Sequence, residues 1–493
     1  MSFYIGADLG TSSLKLLLVD ERGKIYKSAT EYYDVSYPKN GWSEQNPSDW
    51  LAAFERGMEK LTEGIDKSLV AAIGVGGQMH GLVVLDKNDK VIRPTILWND
   101  SRTEAEVEYL NNVIGKAVLN ELTANIAFAG FTAPKLLWMY NNEPENFAKI
   151  AKIMLPKDYL NYYLTGNHAT DYSDASGMLL LDVKNKCWSE KMASICHIST
   201  DMLPELYESY EVIGTVIPGI AERLGLPSGV RVVAGAGDNA AAAIGTGTQG
   251  SGSCNISLGT SGTVFITSDK FSDVGGARLH SFAHADGGYH LMGCMLSCAS
   301  CNKWFIEEIL GTSDYKAEFA AINEDALASS SVYFLPYLMG ERSPINDTNA
   351  RGTFIGLCAS TTRAEMLLAI IEGVCFAIRD NTDIARELGV DITESAVCGG
   401  GAKTELFRKI LANVLNITLK VPACEEGPAF GGAILAMVAS GEYASISECT
   451  KKLVTYKTAV VPDEALARAY DLKYQKYKAI YPALKDVFKI IKE

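Results

Sequence analysis

The chain lacks any apolar run near the ~20 residues of a membrane-crossing helix. It also lacks a concentration of positive charge: 45 Lys and Arg face 59 Asp and Glu, a formal net charge of -14 over 493 residues. No basic run stands out, the Lys451-Lys452 pair reading as solvated surface, so a nucleic-acid partner held through its phosphates is not expected. No G-x-x-x-x-G-K-[ST] stretch occurs, which excludes a P-loop. Gly245-Thr246-Gly247-Thr248-Gln249-Gly250 fits G-x-G-x-x-G, but it follows a helical segment and precedes a strand, the reverse of a dinucleotide site. The eleven cysteines sit mostly in apolar contexts, among them Cys254, Cys294, Cys375 and Cys398, as reduced core thiols do. Cys298-x-x-Cys301 has neither a second pair nor a nearby histidine, so zinc is not expected there. No basic leader or cleavage site opens the chain, and a cytoplasmic location is the expectation.

With 47% hydrophobic and 21% charged residues the chain reads as globular, and its length exceeds one ordinary core. Its organising feature is a turn that occurs twice. Asp8-Leu9-Gly10-Thr11-Ser12 returns as Ser257-Leu258-Gly259-Thr260-Ser261, each copy flanked by apolar runs that predict a strand-turn-strand hairpin. Glycine lets a ligand approach the backbone, and Thr and Ser add hydroxyls, so each turn suits a phosphate. Only the first copy begins with a carboxylate, the group that would help hold a divalent cation.

This paired motif resembles the two phosphate turns of the sugar-kinase, actin and heat-shock ATPase superfamily. The resemblance implies two α/β domains of ribonuclease H type flanking a central cleft, spanning 1–246 and 247–493. Further segments narrow it to the FGGY carbohydrate kinases. Ala71-Ala72-Ile73-Gly74-Val75 predicts a buried strand ending in Gly76-Gly77-Gln78-Met79-His80-Gly81, a place where α/β proteins display ligand contacts. His80 alone would pass for a structural histidine. Together with Ile96-Leu97-Trp98-Asn99-Asp100-Ser101-Arg102, however, it resembles the sugar-binding segments of the family's bacterial xylulokinases. An indole offers a flat face to sugar C–H groups, while amides and carboxylates orient hydroxyls.

Residues 104–165 read as mostly helical, with helix starts at Pro134 and Pro156, and Asp171 and Asp174 read as turn residues in another family-like segment. A buried strand over 229–234 breaks at Gly235-Ala236-Gly237-Asp238-Asn239 and enters an alanine-rich helix. From spacing, Asp238 is as well explained by a helix cap as by catalysis. Its context matches the family's catalytic aspartate, and the helix N-terminus leads us to expect a lowered pKa. Val332 to Pro344 resembles a strand and loop found throughout the family, without an evident role. Ser395 to Cys398, the turn Gly399-Gly400-Gly401-Ala402 and the helix after Thr404 resemble its adenosine motif, beside a helix opening at Gly427. The C-terminal tyrosines Tyr470, Tyr474, Tyr477 and Tyr481 form a stripe expected to be packing.

The resemblance implies ATP-dependent phosphorylation of D-xylulose at its terminal hydroxyl. Gln78, Met79, His80, Trp98, Asn99, Asp100 and Asn239 would hold the sugar, and Asp238 would take the proton. Thr11, Ser12, Lys15, Gly259, Thr260, Ser261, Gly400, Gly401 and Glu405 would hold the nucleotide, and Asp8 with Asp238 would hold Mg²⁺ through water. The glycine-rich connection at 245–252 is the candidate hinge for closure, and a homodimer is the family expectation. Competing readings are a gluconokinase or other sugar kinase, disfavoured by Asn99 where such enzymes carry alanine, and a non-catalytic sugar-binding regulator, disfavoured by the two aspartates.

Overall fold

The computed structural model describes residues 1–275 and 278–492. Two mixed sheets of seven strands form its frame. The first contains β1 (Phe3–Leu9), β2 (Ser13–Asp20), β3 (Ile25–Tyr32), β4 (Val70–Gly77), β5 (Val212–Thr215), β6 (Arg231–Val233) and β7 (Ala236–Gly237). Its order is β5-β6-β4-β1-β2-β3, with β7 also on β4. The second contains β8 (Ser253–Leu258), β9 (Gly262–Ser268), β10 (His280–Ala283), β11 (Tyr289–Met295), β12 (Glu394–Cys398), β13 (Thr418–Pro422) and β14 (Tyr456–Val460), ordered β10-β11-β9-β8-β12-β13-β14. Six strands correspond, β3-β2-β1-β4-β6-β5 against β11-β9-β8-β12-β13-β14, while β7 and β10 have no counterpart in the other half. Each central hairpin, β1-β2 or β8-β9, is antiparallel, and its first strand lies parallel to a later one, β4 or β12.

The central strands are nearly continuous apolar runs because helices cover both faces. On the first sheet α1 (Pro47–Thr62) packs against β2 and β3, burying Trp50, Phe54, Met58 and Leu61 at helical spacing. The interface between halves is built by α2 (Asp238–Gly245) and α3 (Gly427–Ala439). Helix α3 comes from the second half yet lies on β1 and β4 of the first. Glycines permit that approach: a Cβ on Gly6 would stand 1.8 Å from the Ala429 carbonyl oxygen, and one on Gly431 would stand 1.9 Å from that of Ala241. Beyond α3, Tyr443 donates to Glu21 O at 2.5 Å and Tyr4 donates to Glu442 at 3.0 Å.

The glycine-rich connection is tied down. Gly250 N donates to Asp286 at 2.9 Å, and Gly252 N donates to Thr267 O at 2.9 Å. Cys298 and Cys301 are buried free thiols. Tyr470, Tyr474 and Tyr477 pack around Phe376 in the second core. No helix among the described residues is long and apolar enough to cross a membrane.

Candidate active site

Strands β1, β4 and β7 run parallel and side by side, with Asp8 opposite Gly76, and Ala236 and Gly237 opposite Gly76 and Gly77. Asp8 ends up near the C-terminal end of β1, and Asp238 just past the end of β7. Glycines of β4, Gly76 and Gly77, lie between the two strands. The Asp8 carboxyl is pushed up to about 7, first by burial and then by the Asp238 charge, with Lys15 opposing. Asp238 is pushed up to about 6 by burial, against hydrogen bonds from Asn239 N at 2.7 Å and Asn239 Nδ2 at 3.0 Å. This reverses the expectation of a lowered Asp238 pKa. Two donors and the end of an eight-residue helix do not offset removal of the charge from water.

Two such carboxylates, each destabilised as an anion, fit a divalent cation that retains part of its water shell. Among the described residues no group of three or more His, Cys, Asp or Glu is placed to hold a metal ion, so a fully protein-caged metal is not the arrangement present.

The polar end of β4 is held rigidly. Gln78 N donates to Leu9 O at 2.8 Å, and Gln78 Nε2 donates to Gln45 Oε1 at 3.1 Å, leaving Gln78 Oε1 buried without a protein partner. Gln45 Nε2 in turn donates to Thr11 O at 2.6 Å, joining this segment to the first turn. His80 adopts φ 70°, costly for a residue with a side chain, and three contacts hold it there. Its Nδ1 bonds Gly177 O at 2.8 Å, while its carbonyl accepts from Thr132 Oγ1 at 3.0 Å and Lys135 Nζ at 2.8 Å. Burial pushes the imidazole down to about 3 and the Lys135 ammonium down to about 7. Met79 is buried against Gly177 and Gly237. Trp98 is 47% exposed and donates to Thr11 Oγ1 at 2.9 Å, and Asn99 is exposed beside it.

Asp100 points elsewhere. Its carboxylate accepts from Ser43 N at 2.6 Å and from Arg102 Nε at 2.9 Å and Nη2 at 2.7 Å, so its buried oxygens secure the 98–102 segment. Asp238 has a support that turn chemistry did not reveal. Lys157 is buried with Asp158 at 2.7 Å, Asp171 at 2.9 Å and Asp174 at 3.7 Å. Ser173 Oγ, bonded to Asp171 at 2.5 Å, accepts from Gly237 N at 3.2 Å, immediately before Asp238. Asp174 is pushed well above its usual range, chiefly by burial, and feels the Asp238 charge. The Lys-Asp pair at 157–158 and the later Asp-x-x-Asp were the only sequence signal, and nothing short of the fold joins them.

On the other side, the turn after β12 abuts the second Gly-Thr-Ser turn. A Cβ on Gly399 would stand 2.7 Å from Leu258 O and 3.0 Å from Gly259 N. Gly259 O accepts from Ala299 N at 2.9 Å and Thr260 O from Cys298 N at 3.0 Å. The side chains of Thr260 and Ser261 are exposed, as are Gly400 and Glu405, while Gly401 is buried. Ser12 is exposed at the tip of the first turn, and Thr11 is half-buried. Lys15 forms an ion pair with Glu426, the residue before α3, so its charge is shared across the halves.

Residues 3–245 match the N-terminal domain of the FGGY family of carbohydrate kinases, and residues 254–440 match its C-terminal domain. A xylulose kinase of Escherichia coli K12 is 39% identical over 98% of this chain and 99% of its own. Among solved structures, a xyloylose kinase from Brucella ovis superposes with a TM-score of 0.93 at 39% identity, over 98% of this chain and 100% of that one. A gluconate kinase from Lactobacillus acidophilus has the same TM-score, 0.93, at 27% identity over 99% of both chains. With both domain models matched in order and a relative this similar end to end, the chain belongs to the FGGY family of carbohydrate kinases.

Proposed function

We propose that the protein transfers the γ-phosphoryl group of ATP to the terminal hydroxyl of D-xylulose, giving D-xylulose 5-phosphate and ADP, in the cytoplasm. The observation that carries this reading is the pair of charge-strained carboxylates, Asp8 and Asp238, at neighbouring strand ends beside a Gly-Thr-Ser turn. The xylulose kinase relatives supply the choice of sugar.

In this mechanism Asp238 accepts the proton of the attacking hydroxyl. A carboxyl near 6 is a stronger base than an ordinary aspartate and is still ionised at neutral pH. Bound Mg²⁺ would offset phosphate charge, with Asp8 and Asp238 orienting its waters. The turn residues Thr11, Ser12, Gly259, Thr260 and Ser261 position phosphate oxygens, and Gly400, Gly401 and Glu405 border the nucleoside. Trp98 lays its ring along the sugar, and Gln78 Oε1, buried without a protein partner, accepts from a sugar hydroxyl. Asn99 and Asn239 offer further amides. Closure about 245–252 excludes water from the cleft.

The test is ADP release with ATP and Mg²⁺ across D-xylulose, D-ribulose, L-ribulose, gluconate and glycerol, for wild type and Asp238→Asn. Selective turnover of D-xylulose, reduced ~10³-fold in the variant, is expected. Preferred turnover of gluconate would move this chain to the activity of the gluconate kinase neighbour. Sugar binding without ADP release from any of the five would replace the enzyme by a binding protein.

A further inference from the structure

The segment of unassigned role, Val332 to Pro344, carries a cation, Arg342, from the second half to the aromatic cluster beside His80. Arg342 stacks its guanidinium 4.6 Å from the Phe128 ring centre. Phe128 meets Phe131 and His280 edge-on at 5.6 and 5.1 Å, and Phe131 lies 4.8 Å from the His80 ring. Burial pushes the nearby Cys294 thiol up, and the Arg342 charge pulls it down by less. That charge also acts on both His80 and His280, in keeping with its place on the aromatic cluster at the His80 end of the site.

The loop is fixed: Ser343 N donates to Cys294 O at 2.9 Å, and Glu341 Oε1 accepts from Leu296 N at 2.9 Å and Arg342 N at 2.7 Å. Glu341 thus spends Oε1 on the backbone, and its Oε2 is buried without a hydrogen-bond partner. Among the described residues no carboxylate forms an ion pair with Arg342, a half-buried cation in a rigid loop.

The chemistry of the substrate calls for such a donor. A 2-ketopentose closes its furanose ring through O5, so a sugar phosphorylated on O5 must be bound open, with its C2 carbonyl free. A carbonyl only accepts hydrogen bonds. His80 cannot supply one, because its Nδ1–H is given to Gly177 O and its neutral ring leaves Nε2 as an acceptor. Arginine is donor only.

We infer that Arg342 is a further specificity-determining residue, reaching from the second half to hydrogen-bond the C2 carbonyl of the open-chain ketose, while His80 Nε2 accepts from a neighbouring hydroxyl. This rests on D-xylulose being the substrate. It also makes the sugar a bridge between the halves, so that sugar binding favours the closed cleft.

The experiment compares wild type, Arg342→Lys and Arg342→Met for the KM of D-xylulose, the KM of ATP, and the inhibition constant of xylitol, in which that carbonyl is reduced to a hydroxyl. Arg342→Met is expected to raise the D-xylulose KM by ~10–100-fold, as loss of a charged hydrogen bond does. The ATP KM and the xylitol constant should move less than ~3-fold, and Arg342→Lys should recover part of the loss. An unchanged D-xylulose KM overturns the inference, and so does parallel weakening of D-xylulose, xylitol and ATP, which would mark a structural role. Failure of the wild type to phosphorylate D-xylulose would instead refute the substrate, a result read before any variant is made.

Discussion

The two halves of this protein repeat a six-strand sheet core, yet of the two matching Gly-Thr-Ser turns the first is preceded by a carboxylate and the second by a serine. Where the first turn has Asp8 opposite Gly76, the second has Ser257 opposite Cys398. Where β7 leads into Asp238, the turn after β12 leads into glycines. The shared backbone supplies two Gly-Thr-Ser turns, and in the proposed mechanism chemistry is confined to the half whose strand ends hold carboxylates. That confinement has a cost, because the first half keeps two acidic groups in an environment that raises both pKa values.

The comparison breaks most severely if Asp8 is made to resemble its counterpart. Asp8→Ser is expected to lower kcat ~10³-fold with sugar affinity nearly unchanged; retention of activity within tenfold would show that the carboxylate is not what separates the halves. A pH profile sharpens the same point. With Asp8 near 7 and Asp238 near 6, kcat/KM should rise with pH up to about 7 and be at least ~10-fold lower at pH 5 than at pH 8.

Stability should run the other way. Both groups bind protons more tightly folded than unfolded, so their contribution is fully present below about 4 and is lost as pH rises through 6 to 7. Asp8→Asn should therefore raise the melting temperature of the ligand-free protein at pH 8, on the order of 2 °C, and do so less at pH 5. A lower melting temperature at pH 8 would refute the assigned strain.

Next in size is the reverse exchange. Ser257→Asp places a second anion at a phosphate turn and should raise the KM for ATP ~10-fold while leaving the sugar KM within ~2-fold, measured by initial rates. Smallest is Cys398→Ser. The Cys398 thiol makes a long contact with Asn255 Oδ1, at 3.7 Å, so activity should stay within ~2-fold, and a larger drop would give the second half's strand end a role that its chemistry does not suggest.

Much of the fold was legible because it repeats. Two apolar-Gly-Thr-Ser-apolar hairpins, a strand running into Gly76-Gly77-Gln78, and an alanine-rich helix after Asp238 are local patterns, and each lies where its sequence predicts. The site was legible less evenly. Asp8 and Asp238 lie on neighbouring strand ends, and Gln78 and Trp98 both connect to the first turn, through Gln45 and Thr11. Asp100 carries the same acidic chemistry as Asp8, but it faces Arg102 and Ser43, a direction no spacing rule gives.

The amino-acid sequence by itself determined the repeated hairpins, the confinement of acidic groups to one of them, and the membership of a kinase family, because strand periodicity and turn chemistry act over a few residues. Only the tertiary structure decided the charge states and the alliances. It reversed the shift expected for Asp238, laid α3 of the second half on the first sheet, gathered the Lys157-Asp158 pair with Asp171 and Asp174, and brought Arg342 to the aromatic cluster beside His80. Burial is a property of everything that surrounds a group, and those surroundings come from residues tens to hundreds of positions away.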